Sequence, residues 1–137
     1  GIESILESGV RRIAIANPRL APYGQAAVAA MRHYGVYDQI TSKIVRGDSI
    51  AQAAQFVSSG AADVGFLALS MARSQVMNRG SYWEIPSNAH LPIEQAMVIL
   101  RREERNTKHS AAVQAFRDAV RGTPGHEILE RYGFSVP

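Results

Sequence analysis

The sequence predicts an α/β protein with a mostly parallel sheet flanked by helices, and two observations lead to that prediction. Three times in succession, an apolar run is followed by a turn and then by a segment with helical periodicity. Such strand–helix–strand connections make successive strands parallel, with right-handed crossovers. The composition agrees, because 46% of the 137 residues are hydrophobic and 20% are charged, which is typical of a folded globular chain.

The first two strand–helix units have the clearest patterns. A nearly continuous apolar run at 10–16 predicts a strand buried on both faces, and an alanine-rich helix follows at 25–33. A second strand at 43–46 leads into a helix at 50–57, whose apolar residues share one face.

The third unit is a strand at 63–69, followed by a helix that begins at Ser70 and ends near Gly80. After Gly80 the alternation of strand and helix stops. The remaining predictions are strands at 82–85 and 93–100 and helices at 110–121 and 124–131.

Composition and charge exclude several function classes. The absence of cysteine excludes a disulfide scaffold, a cysteine zinc site and a thiol nucleophile. No apolar run approaches the roughly 20 residues that a membrane span needs. The net charge of +3 does not indicate a nucleic-acid partner, because the basic residues are scattered and the densest cluster, at 101–105, contains two acids.

Catalytic and metal sites have little support in the sequence. The four histidines are isolated and none has a metal-ligand spacing, so no metal is predicted. Ser70 follows a strand but lacks the G-x-S-x-G elbow of a nucleophilic serine. We therefore expect a protein that is not an enzyme.

The turn at 17–24 is a candidate anion site. A helix that starts after such a turn presents unpaired backbone N–H groups and the positive end of its dipole. Here the donors are the N–H groups of Tyr23, Gly24 and Gln25, with Gly24 allowing close access. The alternative is an ordinary turn between a strand and a helix.

The turn at 47–50 offers a second set of donors. These are the N–H groups of Ser49, Ile50 and Ala51 and the Ser49 hydroxyl, although Ser49 is equally suited to a simple helix cap. Both turns follow strands predicted to be parallel, and the carboxyl ends of such strands form the edge where open α/β sheets bind ligands.

Three stretches in the same order and spacing resemble the molybdate-binding proteins of ABC transporters, which are type II periplasmic binding proteins. The resemblance extends from about Val10 to the C-terminal helix. The matching stretches are NPRLAPYGQAA at 17–27, GDSIAQAAQFV at 47–57 and ADVGFLALS at 62–70, with GHEILERYGF at 125–134 resembling the end of the family.

The resemblance implies a periplasmic solute receptor with two α/β lobes around a hinge. Such a receptor binds molybdate or tungstate through backbone N–H and hydroxyl groups, needs no cofactor, and delivers the anion to an ABC permease in the membrane. By motif, Tyr23 and Ile50 supply the N–H groups, with Ser49 as a lesser candidate. Some relatives have a tyrosine hydroxyl in the third stretch, at the position of Ala68 in this chain.

The resemblance also implies a division of the chain. Residues 10–89 correspond to the second lobe, and 90–137 to a strand that crosses the hinge and two helices that complete the first lobe. On this correspondence, we expect most of the first lobe to be missing before Gly1. We therefore expect the 90–137 segment to be buried in a homo-oligomer, by exchange between chains, or against the rest of a larger protein.

A different class of protein stays open at this point. An effector-sensing domain of a transcription regulator uses the same two-lobed fold and would be cytoplasmic. A helix-turn-helix encoded upstream of Gly1 would favour the regulator, and a secretory leader there would favour the receptor. A small enzyme is the weakest alternative, since no nucleophile with its base, metal cluster or carboxylate pair is evident.

Overall fold

The computed structural model describes residues 1–77, 80–100 and 107–136, and it confirms a parallel sheet flanked by helices. Three strands pair in the order β2-β1-β3, all parallel. The central strand places Ile13 opposite Ile44 on one side and Val64 on the other. The strands are β1 (Ile13–Ala16), β2 (Ile44–Gly47) and β3 (Val64–Gly65).

Helices surround the sheet and form the C-terminal part of the chain. The α-helices of the described ranges are α1 (Pro22–His33), α2 (Tyr37–Ile40), α3 (Ile50–Ser58), α4 (Leu69–Ala72), α5 (Thr107–Arg121) and α6 (Thr123–Arg131). Short 3-10 helices span Ile2–Leu6, Thr41–Lys43, Gln75–Met77 and Ser87–Ala89. No helix in these ranges has the length and apolar character needed to cross a bilayer.

The central strand β1 explains why one helix packs on each face of the sheet. All four of its residues are fully buried, and their side chains alternate between the two faces. Ile13 and Ile15 belong to the cluster that contains Met31 of α1, whereas Ala14 packs in a second cluster with Ala53 of α3. The small Ala14 and Ala53 side chains let α3 lie close to the strand.

The chain divides into two compact units, Gly1–Ile93 and Glu94–Pro137. The first contains the sheet and α1 to α4. In the second, α5 and α6 pack on each other, yet Phe116 is 65% exposed and Ile128 is 53% exposed.

Asp63 fixes the start of the third strand. Its carboxylate accepts the backbone N–H groups of Arg11 and Arg12, at 2.9 and 2.8 Å. These two hydrogen bonds, Arg12 first, lower the pKa of Asp63 below its usual value of 3.8. The carboxylate therefore ties the segment before β3 to the segment before β1.

The predicted strands at 82–85 and 93–100 are wrong. The described residues 80–100 contain no strand. A strand needs a neighbour to receive its backbone hydrogen bonds, and an apolar sequence does not supply one. The first of these segments is held by side chains instead, because the Trp83 ring contacts Tyr34 at 6.0 Å between centroids and Glu84 pairs with Arg73 at 3.4 Å.

Several boundaries also differ from the prediction. The first strand begins at Ile13 rather than at residue 10, and the third is two residues long rather than seven. Within the described part of the stretch from Ser70 to Gly80, expected to form one helix, the chain forms the end of α4 and the 3-10 helix Gln75–Met77. Helix α1 begins three residues earlier than expected, at Pro22, because proline is well suited to the first helical position. The 101–105 cluster lies outside the described residues.

Candidate functional site

Two turns lie side by side at the carboxyl edge of the sheet. Ala16, the last residue of β1, is in register with Gly47, the last residue of β2. The Asn17 N–H donates to the Gly47 carbonyl at 2.7 Å, which extends the ladder by one residue. Since neighbouring strands are about 4.8 Å apart, the segments leading to α1 and α3 leave the sheet as neighbours.

Asn17 organises the first turn, which connects β1 to α1. Its backbone carbonyl accepts the N–H groups of Leu20 and Ala21, at 3.0 and 2.9 Å. Its side-chain oxygen accepts the Arg19 N–H at 3.0 Å. These three bonds fix the direction in which α1 begins.

The first turn of α1 leaves one backbone donor open. Pro22 has no N–H group, and the N–H groups of Gly24 and Gln25 donate to the Ala21 carbonyl at 3.0 and 3.3 Å. The Tyr23 N–H has no hydrogen-bond partner within the described part of the chain. Of the three donors expected from the sequence, Tyr23 is therefore the one available to a ligand; a role for Gly24 in binding stays a prediction.

Gly24 has a visible structural role. A Cβ atom at this position would overlap the Ala16 carbonyl and lie 2.8 Å from the Pro18 nitrogen. Only glycine lets α1 start this close to the end of β1. Close approach of the helix to the strand is thus what the structure requires of Gly24.

The second turn presents more open donors than the first. The N–H groups of Ser49, Ile50 and Ala51 have no partner among the residues that the structure describes. The Ser49 hydroxyl accepts the Gln52 N–H at 3.2 Å, so it acts as the helix cap of α3. A hydroxyl that accepts a hydrogen bond still has a proton to donate, so capping leaves Ser49 able to contact an anion.

Gln52 is a residue of this site that sequence reasoning missed. Its side-chain oxygen accepts the Asp48 N–H at 2.6 Å and so closes the second turn from the helix side. The spacing Ser49-x-x-Gln52 is that of a capping box, and this signal was present in the sequence.

Ala68 brings no hydroxyl to the third turn. Ala68 is buried and forms the start of α4 without a side-chain cap. Across the described ranges, no group of three His, Asp or Glu side chains is arranged to hold a metal ion. The site is therefore defined by neutral backbone donors on two turns, an arrangement suited to an anion.

An α/β unit with open backbone donors at its sheet edge is typical of solute-binding proteins, and comparison with known proteins supports this class. The model of the family of bacterial extracellular solute-binding proteins matches residues 1–135. The chain belongs to that family. Its members bind solutes, as predicted, and are not enzymes.

Individual relatives are consistent with the resemblance noted in the sequence. The chain is 38% identical over 131 residues to the molybdate-binding protein of Azotobacter vinelandii, and 37% identical over 133 residues to that of Rhodobacter capsulatus. These matches cover 95% and 96% of this chain and 50% of each relative. The chain thus spans about half the length of these relatives.

A solved structure shares the fold. The periplasmic molybdate-binding protein of Azotobacter vinelandii superposes with a TM-score of 0.78 at 32% sequence identity. The superposition covers 97% of this chain and 57% of that one. The resemblance predicted from the three sequence stretches is confirmed.

Proposed function

We propose that this chain binds a tetrahedral oxyanion, molybdate or tungstate, through the backbone N–H groups of Tyr23 and Ile50. The Ser49 hydroxyl adds a further donor. Binding serves uptake, with delivery to an ABC importer from a periplasmic location. The whole receptor would supply further ligands from the part of its length that this chain does not span.

One observation carries the proposal. Open N–H groups at Tyr23 and Ile50 belong to two turns whose strands end in register at one sheet edge. The first turns of α1 and α3 contain no acidic residue, although the helix dipole would favour one there. An anionic ligand takes the place that an acidic side chain would otherwise occupy.

The chemistry of the donors also accounts for selectivity. N–H groups only donate, so a fully deprotonated oxyanion satisfies them, whereas a protonated one presents a hydrogen toward them. Molybdate and tungstate are dianions at neutral pH, while phosphate retains a proton. Sulfate lacks that proton, and its rejection depends on the size of the site.

The test is a titration of the 15N-labelled chain followed by amide resonances, which suits a protein of 14.9 kDa. We expect molybdate and tungstate to shift the Tyr23 and Ile50 amide signals in a saturable way. Phosphate should shift them at least about tenfold less effectively at equal concentration. If molybdate left both signals in place up to millimolar concentration, the proposal would be wrong.

We also propose that the exposed apolar side chains of the second unit are covered by another copy of the chain, by association or by exchange of the 90–137 segment. The support is the exposure of Phe116 on α5 and Ile128 on α6, two helices that pack on each other, and of Val98 and Leu100 in the same unit. Large apolar side chains exposed to this degree favour association.

Light scattering coupled to size exclusion tests this second proposal. We expect the wild-type chain to run as a dimer, at twice its 14.9 kDa, and Phe116→Lys to shift it to monomer. Gln114→Lys, an exposed position on the same helix, is the control that should leave the dimer intact. A wild-type monomer at all concentrations would contradict the proposal.

A further inference from the structure

Gln52 holds the second turn with a neutral group. The side-chain oxygen of Gln52 accepts the Asp48 N–H at 2.6 Å, and the backbone N–H of Gln52 donates to the Ser49 hydroxyl at 3.2 Å. The two bonds tie the two ends of the segment 48–52 together, and this segment contains the open N–H groups of Ile50 and Ala51. The direction of those donors therefore depends on the bond that Gln52 makes.

A glutamate at position 52 could accept the same hydrogen bond, and in the absence of a ligand it would stabilise the start of α3 more than glutamine does. The capping box accepts Glu or Gln at this position, and a carboxylate near a helix N-terminus is favoured by the dipole. The chain nevertheless has the neutral amide, in a first turn without any acidic residue. The neutral choice is explained if an anion must occupy the same end of the helix.

Charge at this position acts on the proposed ligand at short range. Asp48 is two residues from Ile50, so the Gln52 carboxamide lies within roughly 10 Å of the Ile50 N–H. That distance is about one Debye length at physiological ionic strength. Asp48 already places one exposed carboxylate on this turn, and a second would add to its repulsion of an anion.

We infer that Gln52 is a positioning and selectivity residue of the oxyanion site: it orients the Ile50 and Ala51 N–H groups without adding negative charge. This inference depends on the proposed oxyanion function. It assigns two separable properties to one side chain, a hydrogen-bond acceptor for Asp48 and electrical neutrality.

Three variants separate these properties. Gln52→Leu removes the acceptor and adds no charge, whereas Gln52→Glu keeps the acceptor and adds a charge. Gln55→Glu is the matched control, because Gln55 is exposed on the same helix, one turn further from its N-terminus. Molybdate affinity is measured by amide titration at low and high ionic strength, with hydrogen exchange at the Asp48 amide as an independent readout.

We expect Gln52→Leu to weaken molybdate binding about fivefold at either ionic strength, the equivalent of one neutral hydrogen bond, and to speed exchange at Asp48. Gln52→Glu should keep slow exchange at Asp48 but weaken binding about tenfold at low ionic strength and about twofold at high. Gln55→Glu should stay within about twofold of wild type.

The outcomes distinguish this inference from the function on which it depends. Wild-type affinity in Gln52→Leu, or a loss in Gln52→Glu no larger than in Gln55→Glu, overturns the role of Gln52 while molybdate binding stands. Absence of molybdate binding by the wild-type chain overturns both.

Discussion

Tyr23→Pro is expected to weaken molybdate binding at least about tenfold, whereas Tyr23→Ala should leave the affinity within about threefold of wild type. The reason is that the proposed contact is made by the backbone N–H, which alanine keeps and proline lacks. A hydrogen bond to a charged acceptor contributes about 1.5–3 kcal/mol, so its removal alone costs roughly ten- to hundredfold in affinity. The amide titration measures both variants.

The proline variant needs a folding control. The Tyr23 N–H makes no hydrogen bond within the described chain, so proline removes no internal bond at this position. The free energy of unfolding, measured by thermal denaturation, should therefore change far less than the free energy of molybdate binding does. A large loss of affinity in Tyr23→Ala with none in Tyr23→Pro would contradict a backbone contact and point to the tyrosine side chain.

Gly24→Ala is expected to destabilise the fold by about 3 kcal/mol or more, because the added methyl overlaps the Ala16 carbonyl and lies 2.8 Å from the Pro18 nitrogen. Backbone atoms of the strand end cannot move aside as a flexible side chain would. The start of α1 must shift instead, which also displaces the Tyr23 N–H. Chemical denaturation measures the stability loss.

Gly9→Ala is the matched control for Gly24→Ala. A Cβ at Gly9 meets nothing within 4 Å. The free energy of unfolding of the Gly9→Ala variant should stay within about 0.5 kcal/mol of wild type. Equal stability losses at Gly9 and Gly24 would show that the close approach of α1 to β1 is not what makes Gly24 necessary.

The sheet and its flanking helices could be predicted because periodicity and burial agree in that part of the chain. The uninterrupted apolar run around Ile13 indicates a central strand, and Ala53 lies on the single apolar face that α3 turns toward it. The apolar run at 93–100 has the same composition as a strand but no neighbour within the described residues. A sequence pattern indicates which secondary structure a segment prefers, but it does not identify the strand with which that segment would pair.

The candidate site was predicted only in outline. Which N–H group stays open depends on where α1 begins, and Ala21 is not a residue type that marks a helix start. Pro22 is the signal that places the start, and it leaves Tyr23 as the open donor. The hydrogen bond that the Asp48 N–H donates to Gln52 depends on the side-chain conformation of Gln52, which the sequence spacing alone does not determine.

The close approach of each helix to the end of its strand has a consequence for how this edge tolerates sequence change. A Cβ at Gly47 would lie 2.9 Å from the Ala53 nitrogen, so Gly47 is confined by backbone much as Gly24 is. Tyr23 and Ile50 would offer the same N–H group with almost any side chain. In the proposed binding mode, the two positions that supply the donors would accept most substitutions in the course of evolution, and the constraint would fall on the two glycines that let each helix approach its strand.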